Sequence, residues 1–182
     1  MLSHGGVIGA AGVSSGLPAG TLLLGPSDPA NFTAAEYTLN PDDVYYYMSG
    51  YVGASTGNAA KARFLCPSNI VSGASYATAV LWNSSGTRIA HAEINTSDGS
   101  NWYSGTFSSP PSIVQSTTYY LGLFIGGYVD VYTRVSAPSY KLLSPSGSVS
   151  YGADGSNPTP PNVDPGSDGD YGCPEICIQL LT

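Results

Sequence analysis

Apolar and polar positions alternate in short runs along this chain, and nowhere do apolar residues recur at the three-and-four spacing of a helix face over a helix's length. The pattern predicts strands. Val44-Tyr45-Tyr46-Tyr47-Met48 with Tyr51-Val52 opens the series, and Ala60 to Cys66 and Tyr76 to Trp82 follow, with the aromatic residues that suit a pleated, half-buried surface. Asn83-Ser84-Ser85-Gly86 is a turn sequence. Beyond it, Ala90, Ala92, Ile94 and the stem of Arg88 share one face of a strand, and Ile89, His91 and Glu93 take the wetter one. After a second turn at Ser97-Asp98-Gly99-Ser100, Trp102 to Phe107 reads as a strand that stops at Pro110-Pro111. Tyr119 to Ile125 is apolar on both faces, as a central strand should be. Gly126-Gly127 is expected to turn it into Tyr128 to Thr133, and Tyr140 to Leu143 closes the body. Asn31 to Leu39 is expected to differ, with a helical turn around Ala34-Ala35-Glu36 limited by Pro41.

About eight short strands with turn residues between them, and no internal repeat of fixed period, predict an all-β fold. The expected architecture is an antiparallel β-sandwich, jelly-roll-like, with extended N- and C-terminal arms. Residues 1–42 form the N-terminal arm, rich in Gly, Ala and Ser, with one short strand at Thr21-Leu22-Leu23-Leu24. Residues 43–143 are the sandwich. Residues 144–172 are nearly all Ser, Gly, Pro, Asn and Asp, the composition of a linker. Residues 173–182 are a C-terminal strand whose apolar run Ile176-Cys177-Ile178-Gln179-Leu180-Leu181 must bury itself, either in its own sheet or on the edge of a neighbour. Ile176, Ile178 and Leu180 are the expected buried side of that assembly strand.

Composition narrows the class. The 182 residues include 23 Gly, 14 Pro and 14 Tyr, and only 9% are charged, against about a quarter in an ordinary domain. A coiled coil or a highly charged disordered chain is excluded. Five basic against twelve acidic residues give a net charge of −7, which disfavours nucleic acid because a phosphate backbone needs clustered Lys and Arg. The acids gather late: Asp154, Asp164, Asp168, Asp170 and Glu175 follow residue 153, where no Lys or Arg occurs. The remainder is close to neutral, a surface that favours association with other chains. The first residues lack a basic region and an uninterrupted apolar core, so no secretory signal is read there, and no segment is apolar and long enough to span a bilayer.

Candidate chemistry is sparse. Two His, at positions 4 and 91, and the strand carboxylates Glu93 and Asp130 are the only groups to consider in a catalytic role, and no G-x-S-x-G, P-loop or HExxH motif occurs. His91 and Glu93, two apart on one strand face, read as an exposed polar couple or as half of a site. No enzyme activity and no cofactor are expected. Cys173 and Cys177 leave a zinc site two ligands short, Cys66 reads as a small buried hydrophobe, and the acidic tail lacks the order and closing Glu of a calcium loop, so no metal is expected. The aromatics are the richer set. Flat rings with a polar tip stack on sugars or form subunit interfaces, or alternate members line the sandwich core while the rest cover its faces; Trp102, Tyr103 and Tyr128 are the candidate glycan-stacking residues.

The run Leu81-Trp82-Asn83-Ser84-Ser85-Gly86-Thr87-Arg88-Ile89-Ala90, with Trp102, Phe107, Pro111, Ile113 and Thr117-Thr118-Tyr119-Tyr120, has the form LW-x3-G-x2-[IL]-A followed by a Trp strand and a T-T-Y strand. It resembles the β-sandwich accessory modules of bacterial surface and carbohydrate-active proteins, and of phage fibres and other virion appendages. The resemblance spans roughly residues 60–135 and implies that Trp82 is core, Gly86 the hairpin turn and Thr118-Tyr119 the start of a central strand. The combined expectation is a structural bacteriophage virion protein, such as a capsid decoration, head-fibre or tail-appendage subunit. Its partners would be copies of itself and other virion proteins, with no nucleic acid and no membrane. The alternatives are a carbohydrate-binding or adhesive module, located at the cell surface and contacting host glycans, and a cellular surface-layer or filament subunit.

Overall fold

The computed structural model describes residues 16–32, 36–39, 46–65, 76–94, 96–97, 102–126, 129–134, 140–143 and 175–182. Their strands are β1 (Leu22–Leu24), β2 (Glu36–Leu39), β3 (Tyr46–Val52), β4 (Gly57–Asn58), β5 (Lys61–Leu65), β6 (Tyr76–Asn83), β7 (Arg88–Glu93) and β8 (Thr96–Ser97). They continue as β9 (Trp102–Thr106), β10 (Ser112–Ile113), β11 (Thr118–Gly126), β12 (Val129–Arg134), β13 (Tyr140–Leu143), β14 (Glu175–Ile176) and β15 (Ile178–Leu181). Among the described residues every strand pairing is antiparallel and the single helical element is the 3-10 turn Pro29–Asn31. The fold is all-β.

Two five-stranded sheets carry most of the structure, with strand orders β1-β15-β5-β9-β8 and β13-β3-β11-β6-β7. A three-stranded sheet, β14-β12-β2, and the pair β10-β4 complete it. The period of two in the sequence becomes the core, except in β1, where a register irregularity lets the adjacent Leu23 and Leu24 both join it. Leu23 and Leu24 of β1, Ala62 and Phe64 of β5, and Ile178 and Leu180 of β15 face one hydrophobic cluster; so do Ala77, Ala79 and Leu81 of β6, Ala92 of β7, and Tyr119, Leu121 and Leu123 of β11. Tyr119 is the polar-tipped member of that set, and its hydroxyl is satisfied by accepting a hydrogen bond from the Val114 N–H at 3.1 Å.

β11 lies between β3 and β6, in the central place its two apolar faces predict. β6 is likewise buried on both faces, with Thr78, Val80 and Trp82 as inaccessible as Ala77, Ala79 and Leu81. The β6–β7 hairpin closes at its turn sequence: Asn83 Oδ1 accepts from the Ser85 and Thr87 N–H groups, and Gly86 supplies the φ of +80° that an L side chain rarely adopts. Ile89, His91 and Glu93 are exposed and Ala92 and Ile94 buried, as their alternation requires.

One local expectation is overturned. Glu36–Leu39 is a strand paired with β12 rather than part of a helical turn; four residues cannot sustain a helix against an available strand edge. The strand expected after Gly126 is present as β12; with β3 and β6 on the two edges of β11, it pairs with β2 and β14. Residues 1–15, 33–35 (including Ala34 and Ala35 of the expected helical turn), 98–100 and the linker 144–172, with Cys66, Gly127, Tyr128 and Cys173, lie outside the described residues.

Truncating a fully buried side chain of β15 removes packing from both neighbours. Leu180→Ala should cost about 2 to 5 kcal/mol, whereas Ile89→Ala, at a position 43% exposed, should cost less than about 1 kcal/mol. Urea unfolding of the two variants checks the ranking.

Candidate functional site

The C-terminal segment is buried along the whole of its strand. β15 runs between β1 and β5, with Ile178 opposite Phe64, Gln179 opposite Arg63, Leu180 opposite Ala62 and Leu181 opposite both Lys61 and Leu22. Immediately before it, Ile176 and Glu175 pair with Thr133 and Arg134 of β12. Eight residues therefore join the edges of three strands, β12, β5 and β1. The segment's three predicted assembly residues, Ile176, Ile178 and Leu180, are all inaccessible and belong to the shared core.

The N-terminal side closes around the same segment. Thr182 N–H donates to the Thr21 carbonyl at 3.0 Å, Gly20 N–H donates to the Thr182 carbonyl at 3.1 Å, and Thr182 Oγ1 donates to the Pro18 carbonyl at 2.6 Å. β15 is the strand with which β1 pairs. Gly25, at φ +106°, lets the chain leave β1 against β15, because a Cβ there would overlap the Ile178 carbonyl.

The other face of this sheet carries a small polar and aromatic arrangement. Gln179 is 3% exposed. Its Oε1 accepts from Arg63 Nε at 3.0 Å, and its Nε2 donates to the Pro26 carbonyl. The Arg63 guanidinium also lies 4.0 Å from the centre of the Trp102 ring, a cation–π contact. Trp102 packs with Phe32, Cys177 and Leu65 in a second apolar cluster.

These placements separate the expected stacking residues. Trp102 is 8% exposed and has Arg63 over its ring, so it contributes to packing. Tyr103, its neighbour on β9, points to the opposite face, where its ring stacks on Phe64 with centroids 5.7 Å apart. The two rings do not share a platform, and Tyr128 lies outside the described residues.

Sequence spacing pairs His91 with Glu93 but does not reveal what stands across from them. Both line a half-open cleft of about 310 Å³ whose other walls include Thr106 and Ser108, brought from the end of β9. A carboxylate, an imidazole and two hydroxyls can bind a polar ligand through hydrogen bonds. Among the described residues no hydrogen bond joins His91 to Glu93. Partial shielding by the cleft walls lowers the His91 pKa, the Arg88 charge lowers it further, and Glu93 opposes both. No group of three or more His, Cys, Asp or Glu side chains that could hold a metal is found among the described residues.

No protein-family model, curated protein or solved structure matches this chain.

Because the His91 pKa is lowered on folding, the folded chain binds fewer protons than the unfolded one just below the ordinary histidine value of about 6.5. Its contribution to stability is present above that value and is lost as pH falls through the folded pKa. NMR titration should place His91 below 6.5, with Arg88→Gln moving it up and Glu93→Gln moving it further down.

Proposed function

We propose that this chain is a structural subunit of a bacteriophage virion, a capsid decoration, head-fibre or tail-appendage protein, built as a jelly-roll-like β-sandwich that assembles through its terminal arms. The observation that carries the reading is the seat of β15: an apolar strand buried between β1 and β5, reached through residues 144–172, which are nearly all Ser, Gly, Pro, Asn and Asp. Contacts made by such a strand within one chain can be made identically between chains, and the choice is set by connection length and local concentration.

The magnitudes permit exchange in an assembly. A free coil of about thirty Gly- and Ser-rich residues has a root-mean-square span of about 30 Å. That span corresponds to an effective concentration on the order of millimolar for its own slot. Copies held side by side on a particle reach the same range, so a neighbour's slot competes with the strand's own. The exchange takes place as chains fold or assemble, before β15 closes. The weakly charged composition is consistent with a surface that packs against other subunits.

The second reading is a carbohydrate-binding or adhesive module, and it draws on the His91, Glu93, Thr106 and Ser108 cleft, whose groups suit the hydroxyls of a sugar. An appendage that also binds host glycans would satisfy both readings. Saturable hits on a glycan array that are lost on Glu93→Gln support the second reading, and an array without hits removes it.

Deleting residues 173–182 should abolish formation of higher-order assemblies, measured by sedimentation and electron microscopy. Normal assembly of the truncated chain contradicts the arm-exchange mechanism.

A further inference from the structure

We propose that the slot between β1 and β5 recognises the C-terminal strand of a second copy by one side chain, Gln179, which fixes both identity and register. This inference rests on the assembly reading above and names how the partner strand is selected. Apolar residues alone would not choose. Ile178, Leu180 and Leu181 bury hydrocarbon, and hydrophobic burial is non-directional. A one-residue slip turns the apolar face of a strand outward, but a two-residue slip restores it, since Ile176, Ile178 and Leu180 recur at every second position.

Gln179 breaks that degeneracy. It is buried on the face opposite Ile178 and Leu180, and both ends of its amide are used, the oxygen by Arg63 Nε and the nitrogen by the Pro26 carbonyl. The two partners stand on either side of it: Arg63 is on β5 and Pro26 follows β1 by one turn residue. The amide therefore spans the slot, and a side chain carrying both an acceptor and a donor at this level meets Arg63 Nε and the Pro26 carbonyl together. A two-residue slip would put Cys177 or Leu181 there, and neither supplies that pair. Buried polar groups left unmade cost more than the bond itself gains, which converts the pairing into discrimination. Arg63 is held for the task by its contact with Trp102, which limits the geometries open to the guanidinium.

The occupant is the segment 175–182 of another copy, since it carries the matching glutamine flanked by the apolar residues that fill the slot. The test uses full-length chains with one thiol each. A donor chain carries Leu181→Cys and an acceptor chain carries Lys61→Cys, a facing register pair, both with Cys66→Ser, Cys173→Ser and Cys177→Ala. The two are mixed in denaturant, refolded together and oxidised, so a donor–acceptor disulfide reports a strand seated in trans. The native Gln179 tail should give this link. Donor Gln179→Met should lower its yield by about five-fold or more, the expected cost of unmade hydrogen bonds. Donor Gln179→Glu, which keeps the acceptor for Arg63 and loses the donor for Pro26, should fall between. Combining donor Gln179→Met with acceptor Arg63→Met should recover part of the loss, a coupling that general loosening of the strand would not produce. Equal yields from Gln179 and Gln179→Met tails overturn the recognition role while leaving exchange intact. No link from the native tail overturns the exchange reading itself, and the recognition in trans with it.

Discussion

Burial of the last eight residues is the constraint on which the surrounding structure depends. Residues 175–182 satisfy the backbone of β12, then of β5 and β1, and place Ile176, Ile178 and Leu180 in the common core. A strand in a sheet interior removes two edges at once, one on each neighbour. Its absence would leave β1 without its sheet partner and open the apolar side of β5 to water. Three or more residues of this kind, at about 1.5 to 3 kcal/mol for each fully buried side chain, represent much of a stability that totals about 5 to 15 kcal/mol in an ordinary domain.

The two ends of the chain are thereby interdependent. Thr182 bonds to residues 18–21, Gln179 bonds to Pro26, and Gly25 permits the close passage of the two backbones. The N-terminal strand lies at the outer edge of its sheet with β15 as the bridge to the rest. Such an element forms contacts of very high sequence separation, which are slow to close.

Much of this was legible in the sequence wherever the signal was local. The turn at Asn83 to Gly86, the doubly apolar β11 and the C-terminal apolar run all declare themselves by period and turn chemistry. The misread element depends on a partner far away in sequence. Glu36–Leu39 became a strand because β12 offered an edge, and β12 was available because β3 and β6 had filled the edges of β11. The same limit hid the sites. Alternation places Gln179 on the polar side of its strand, yet its burial follows from Arg63, Pro26 and the Trp102 cluster converging on that face. Spacing pairs His91 with Glu93, but Thr106 and Ser108 reach them only through the approach of β9 to β7.

Native-state hydrogen exchange tests the keystone role of the C-terminal segment most directly. The informative amides are Leu65, Ala60 and Thr182, whose N–H groups bond to Cys177, Leu181 and Thr21 across the boundaries of the segment. They should exchange only through global unfolding, with the same free energy and the same denaturant dependence as the amides of β11. Exchange of these three through a local opening several kcal/mol below the global value, with β5 and β1 otherwise protected, would contradict it.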